Sequence, residues 1–237
     1  MGQSLETPAD ASLRAAASQP AYATPAYRST ARRAPRAALV AFPGSLTEAT
    51  GPRFTPERFP PLADLSRQDG HDAQGQRIIV AGSVTDENGR PVPDTMIELW
   101  QANAAGRYRH PVDQHDAPLD PYFLGAGRVF TDGGGQYQFL TIRPGSYPWR
   151  NHSNAWRPSH IHFSLFGRGF AERLITQMYF EGDPLLALDP IFHAVPNRDA
   201  RERLVARFTI GLTQAEWAQG YRFDIVLRGR GATPMEG

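Results

Sequence analysis

The chain has 237 residues, 41% hydrophobic, 11% aromatic and 21% charged, which is enough apolar material for one large domain or two small ones. Its formal net charge of +1 points to neither nucleic acid nor an anionic membrane as a partner. Cysteine is absent, which removes disulfides, thiolate metal sites and cysteine nucleophiles together and fits a reducing compartment.

The N-terminal stretch has no basic-then-apolar signal pattern, and its Met-Gly start matches a myristoylation site only weakly. No apolar run approaches membrane-spanning length, so a cytoplasmic location is expected. Residues 1–75 are rich in Pro, Ala and Arg with little periodicity, and read as an arm with short helical pieces. Ser45 and Glu48 in "SLTEAT" have capping-box spacing. Tyr22, Tyr27 and Phe42 give the arm aromatic content suited to wrapping a partner or the body of the fold.

Residues 76–237 read as a β-sandwich domain. "RIIVAGSVTD" is β-branched and runs into "DENGRPVPD", where Asn88-Gly89 signals a turn. "TMIELWQAN", "GRVFTD", "QYQFLTI", "HIHFSLFG", "LITQMYF", "RFTIGL" and "YRFDIVLRG" follow as further strands, with "DGGGQ" and "RPGSY" as turns. Helix is confined to short pieces such as "NRDARERLVA". The expected fold is all-β: mainly antiparallel, with an N-terminal arm and a few short helices.

Seven histidines stand at 71, 110, 115, 152, 160, 162 and 193. A lone histidine in a strand is usually structural. His160 and His162 differ, because a period of two puts both on one face with Ile161 on the other. Paired imidazoles suit a transition metal. No carboxylate lies near the pair in sequence, and the nearby oxygen donors are Tyr108 in "NAAGRYRH" and Tyr147 in "RPGSYPW". A metal can deprotonate a phenol that otherwise titrates near pH ~10, and two tyrosinates favour ferric over ferrous iron. The alternative for each tyrosine is an aromatic at a sandwich end with its hydroxyl on a backbone group. Residue types alone leave both open.

The segment "RPGSYPWRNHSNAWRPSHIHFSLFG" resembles the ferric-ligand region of the intradiol ring-cleavage dioxygenases, above all the iron-bearing β subunit of protocatechuate-cleaving members. The likeness continues, in order, through "TPAYRSTARRAPRAALV", "TEATGPRF", "GRPVPDTMIELWQANAAGRYRH", "APLDPYFLGAGRVFTDGGGQYQFLTI", "LITQMYFEGDPL" and "YRFDIVLRG". It implies non-haem Fe(III) held by Tyr108, Tyr147, His160 and His162, with Tyr147 and His162 as the axial pair. It also implies that a catechol, protocatechuate, chelates the metal and displaces Tyr147, whose tyrosinate then serves as a base. With O2 the ring would open between its hydroxyl-bearing carbons to 3-carboxy-cis,cis-muconate, a step of aromatic catabolism in the β-ketoadipate pathway.

The resemblance places Arg157 in the active site, where a permanent cation stabilises anionic character. Pro158 restricts its backbone to an extended form. Trp149, Gln177 and Ile191 match pocket positions: Trp149 against the axial ligand, Gln177 supporting Arg157, Ile191 contacting the ring. Each is equally readable as simple packing. Tyr27 matches an arm tyrosine that reaches the substrate carboxylate. His152 and Ser159 depart from the family pattern without removing a ligand, and His110 is close enough in sequence to Tyr108 to support it. Partners implied are a related α subunit in a larger oligomer, with a homo-oligomer left open.

Two other readings stand beside this one. Relatives acting on catechol or hydroxyquinol share the ligand set but carry a helical N-terminal region unlike this Pro-rich arm. "VTDENGRPVPDTMIELW" also suits a non-catalytic transthyretin-like binding module.

Overall fold

The computed structural model describes residues 19–37, 54–149, 153, 156–166 and 173–236. Phe42, the Ser45/Glu48 spacing and His152 lie outside those residues.

Within the arm, Thr30–Arg33 form one helical turn. The Thr30 hydroxyl fixes its start by donating to the Tyr27 and Thr24 carbonyls at 2.8 and 3.0 Å. Next comes a small ribbon of β1 (Arg67–Gln68) and β2 (His71–Asp72). The segment before it is tied to the body, since Leu62 bridges Arg128 and Leu65 donates to the Leu140 carbonyl at 2.8 Å.

The body is built from β3 (Arg77–Thr85), β4 (Met96–Trp100), β5 (Ala126–Phe130), β6 (Gln136–Ile142), β7 (Tyr147–Pro148), β8 (Trp156–Arg157), β9 (His160–Phe166), β10 (Arg173–Phe180), β11 (Val205–Phe208), β12 (Gln219–Arg222) and β13 (Ile225–Val226). One layer carries β6-β3-β12 with β13 at the end of β3; the other carries β5-β4-β9-β10. Strand β11 joins them, because Val205 and Ala206 run parallel to Tyr179 and Phe180 while Arg207 and Phe208 run antiparallel to Arg222 and Tyr221. Most pairings are antiparallel; β10–β11, β12–β3 and β13–β3 are parallel. This is the all-β sandwich the sequence predicts.

Alternation decides which side chains fill the space between the layers. In "QYQFLTI", Tyr137 and Phe139 are buried while Gln136 and Gln138 are exposed. Ile78, Val80, Ile97, Leu99, Phe139, Ile161, Phe163, Leu165, Met178 and Phe180 meet in one dry cluster. Each such side chain contributes about 1.5–3 kcal/mol by leaving water. Strand β9 is unusual in being buried along both faces. Its odd residues belong to the core, so something else covers His160, His162 and Ser164.

Turns close the hairpins as expected. Gly89 takes φ 75° and donates to the Asp86 carbonyl at 3.1 Å, and Gly135 takes φ 72° in "DGGGQ". Two stretches differ from the sequence reading. The helix in "NRDARERLVA" stops at Glu202, and Val205 already belongs to β11, which ends at Phe208 so that Ile210–Leu212 of "RFTIGL" form a 3-10 turn. Apolar Leu204, Val205 and Ala206 gain more by burial beside β10 than by prolonging an exposed helix. "YRFDIVLRG" is split because Asp224 accepts from both the backbone N–H and hydroxyl of Ser83, each at 2.8 Å, in place of a ladder bond.

Candidate metal centre

The outer face of β9 meets matching residues on its neighbours. Gln177 lies opposite His162, Tyr179 opposite His160, and Trp100 opposite His162 on the other side. The Trp100 ring stacks on His162 at 4.7 Å and 8°. Two aromatic walls thus hold the imidazoles, whose centroids are 4.9 Å apart.

The tyrosines arrive on two interlocked loops. Asn103, almost fully buried, accepts from the backbone of Ala105 and Arg107 and donates to the Pro118 carbonyl, which folds "NAAGRY" into a tight loop. Gly145 of the second loop donates to the Asn103 carbonyl at 2.9 Å. Gly106 has φ 78°, and a Cβ there would lie 2.3 Å from the Ser146 carbonyl oxygen, so only glycine permits the approach. Ser159 pins the same turn to β9 by donating to the Pro144 carbonyl at 2.7 Å. This accounts for Ser159 beside the first histidine: it anchors the strand entry.

As a result Tyr108 and Tyr147 pack edge to face at 5.3 Å, and the Tyr108 ring is 6.4 Å from His162. The Tyr147 hydroxyl lies 3.3 Å from His160 Nε2. Both histidines have Nδ1 committed elsewhere: His160 donates to the Pro158 carbonyl at 2.7 Å, and His162 faces the Glu236 carboxylate at 3.0 Å. An Nδ1–H so engaged leaves Nε2 as the lone-pair donor, the arrangement found behind metal-ligating imidazoles.

Electrostatics point the same way. Burial, then repulsion from Arg157 and His162, holds the His160 pKa well below its usual value, so the ring is neutral. Burial, reinforced by Tyr147, pushes the Tyr108 phenol well above its usual range. Tyr147 is also raised by burial, against the pull of the Arg157 cation. Among the described residues the buried Tyr108 oxygen meets no hydrogen-bond partner of good geometry, a costly state for a phenol. A trivalent cation among these groups would give that oxygen a bond and invert the cost of ionising both phenols. Among the described residues no three His, Cys, Asp or Glu side chains cluster for a metal, and the oxygens beside the two imidazoles are phenolic. The donor set fits ferric iron.

Arg157 stands directly behind this group. Strand pairing puts it opposite Tyr147, and it is buried with Asp189, which it meets through Nε at 3.1 Å and Nη2 at 3.0 Å. Nη2 also donates to Gln177 Oε1 and to the Tyr179 oxygen, while Nη1 approaches the Tyr147 oxygen at 3.5 Å. Burial alone would lower its pKa, but Tyr179, Asp189 and Tyr147 outweigh that and keep the guanidinium charged. Trp149 lies against this cation at 5.2 Å and against Tyr27 at 5.0 Å.

In front lies a cavity of about 830 Å³, walled by Trp100, Tyr108, Tyr147, Trp149 and His162 together with Asp113 and His115. His110 also lines it, with Nδ1 accepting from the Val112 backbone at 3.2 Å rather than from Tyr108. Tyr27 and Ile191 are buried but do not line the cavity; Ile191 follows Asp189 in a short helix, Pro190–Ala194. Sequence reasoning missed Trp100, Tyr179, Asp189 and Glu236. Tyr179 shares parity with Gln177, and Asp189 precedes a proline at a helix start, so both left a signal. Glu236 left none.

Comparison with known proteins agrees with this geometry. A dioxygenase family model matches residues 49–229, and a model of the protocatechuate 3,4-dioxygenase β subunit N-terminal region matches residues 14–45. The chain is 57% identical over 222 residues to the protocatechuate 3,4-dioxygenase β chain of Burkholderia cepacia, covering 92% of this chain and 94% of that one. It is 32% identical to the protocatechuate 3,4-dioxygenase α chain of Pseudomonas putida, covering 68% and 76%. The crystal structure of 3-chlorocatechol 1,2-dioxygenase from Rhodococcus opacus 1CP superposes with a TM-score of 0.53 at 26% identity, covering 70% of this chain and 64% of that one. With the model, the relatives and the fold in agreement, this chain belongs to the intradiol ring-cleavage dioxygenase family.

Proposed function

We propose that the chain carries a non-haem Fe(III) centre that cleaves protocatechuate with O2 to 3-carboxy-cis,cis-muconate, in an assembly with a related α-type chain. The observation that carries this reading is the meeting of two Nε2 lone pairs with two half-buried tyrosines, one with its oxygen shut off from water, beside one cavity wall. The ligands would be Tyr108, Tyr147, His160 and His162. When bound, the ferric ion supplies Lewis acidity that withdraws electron density from a chelated catecholate and opens its ring to O2.

The chain's own residues do the rest. Tyr147 lies at the meeting of His160 and Arg157, so its oxygen can take a proton from an incoming catechol hydroxyl while Arg157 stabilises whichever anion results. Gln177 and Asp189 hold Arg157 in one orientation, so no reorganisation is needed as charge develops. The stacked Trp100 keeps His162 from turning. Trp149, packed on Arg157 and Tyr27, closes one wall of the cavity against water. The β-type role follows from similarity to the Burkholderia cepacia β chain, and the α-type partner from the likeness to both chains of that enzyme class. In our reading residues 1–75 serve the assembly and residues 76–237 the chemistry, with Tyr27 supporting the Trp149 wall from behind the cavity. No helix among the described residues is long and apolar enough to cross a membrane.

The test is the visible spectrum of the full chain co-expressed with its α-type partner, before and after anaerobic addition of protocatechuate. A tyrosinate-to-iron absorption that shifts on addition is expected. Tyr147→Phe should change that absorption and lower turnover by about 10²–10⁴-fold, the usual weight of a positioned proton acceptor. A colourless protein, or one that turns over catechol and hydroxyquinol as well as protocatechuate, would overturn the assignment.

A further inference from the structure

The two candidate histidine ligands are backed differently. His160 donates to a neutral backbone carbonyl two residues away, whereas His162 faces a carboxylate 74 residues away. That carboxylate is held in place residue by residue. Thr233 exchanges hydrogen bonds with Val226 at 2.8 and 3.0 Å, and Arg203 Nε donates to the Ala232 carbonyl at 2.9 Å. The buried Thr176 hydroxyl donates to the Pro234 carbonyl at 2.7 Å. Met235 donates to Gln19 Oε1 at 2.8 Å, and Glu236 itself donates its backbone N–H to the Ile175 carbonyl at 2.7 Å. A surface tail needs none of these ties. Together they deliver one side chain to one ring nitrogen.

We propose that Glu236 is a positioning residue that fixes the His162 tautomer and strengthens His162 as a donor to the metal. The inference rests on the iron reading above. A ferric ion with two tyrosinates keeps one positive charge, and the Arg157–Asp189 pair cancels itself, so Glu236 supplies the charge that neutralises the buried group. A carboxylate behind an imidazole also gives it partial anionic character, which a backbone carbonyl does only weakly. His162 is therefore the stronger of the two nitrogen donors.

The experiment compares wild type, Glu236→Gln and Glu236→Ala in the full chain with its partner. Three quantities are read: iron retained against a competing chelator, the Fe(III)/Fe(II) reduction potential, and the position of the tyrosinate absorption. Glu236→Ala should lose about 10–100-fold in iron affinity. Glu236→Gln keeps the shape and an acceptor for Nδ1–H, so it should keep its iron. Its potential should rise and its absorption move to lower energy, because a neutral amide no longer offsets the metal charge. A merely structural tail would leave potential and absorption unmoved in Glu236→Gln. Iron bound by all three proteins with the same potential and absorption overturns the role of Glu236 alone. A wild type that takes no iron overturns the iron reading and this inference with it.

Discussion

The two faces of the sheet β4-β9-β10 obey different rules although they share one backbone. On the inner face Ile161, Phe163 and Met178 belong to the hydrophobic cluster, and their requirement is volume. On the outer face His160, His162, Gln177 and Tyr179 sit in a polar group joined to Arg157, Asp189 and Glu236, and each has specific partners. Burial is equally complete on both sides, yet its meaning is opposite. Inside, it is the source of stability; outside, it sets the cost of any polar atom left unpaired.

The strongest way to break the contrast is Arg157→Ala, which strands the fully buried Asp189 carboxylate and should cost about 3–5 kcal/mol in denaturant unfolding. Neighbouring positions sharpen it further. Gln177→Leu is close to isosteric but removes the acceptor shared by Arg157 and Tyr179, so a loss of about 1–3 kcal/mol is expected in the same assay. A pH series on the metal-free chain isolates His160. Its folded pKa is depressed, so the unfolded chain binds the extra proton first as pH falls below its ordinary 6.5. Stability should therefore decline on acidification from that point by about 1.4 kcal/mol per pH unit, and His160→Gln should flatten the slope. Glu236 adds its own loss only at lower pH: burial pushes its carboxyl up, but His162 and Arg157 outweigh that and hold it below its usual 4.5. The smallest effect belongs to the inner face, where Met178→Leu should cost under about 1.5 kcal/mol and leave the visible absorption unchanged. A large loss there, or a small one at Gln177, would erase the distinction between the faces.

What was legible in the sequence follows the same division. "QYQFLTI" becomes β6 at its predicted bounds, and the shared face of His160 and His162 needed only the period of a strand. Tyr108 and Tyr147 stood out as oxygen donors and the resemblance made them ligands, while it placed Arg157 in the site; the fold brings Tyr147 within reach of both Arg157 and His160. Glu236 was hidden because a carboxylate in a tail carries no period, and Asp189, though marked by the proline after it, gave no hint of its partner Arg157, which distant pairing supplies. The shift from "RFTIGL" to β11 has a similar cause: Val205 and Ala206 are drawn out of the helical pattern by β10, a strand that local propensity cannot see.

Strand β3 carries a temporal consequence. It pairs with β6 on one side but with β12 and β13 on the other, and Ser83 must find Asp224 across 141 residues. Such separations make closure slow. During synthesis β3 waits with one flank open, and Ile78, Val80 and Val84 are then accessible to any other nascent strand. Arrest of translation before residue 219 should leave a species that self-associates, while release of the remaining chain should rescue it. The outer face of β9, which receives Glu236 from the far end of the chain, is completed only after that docking.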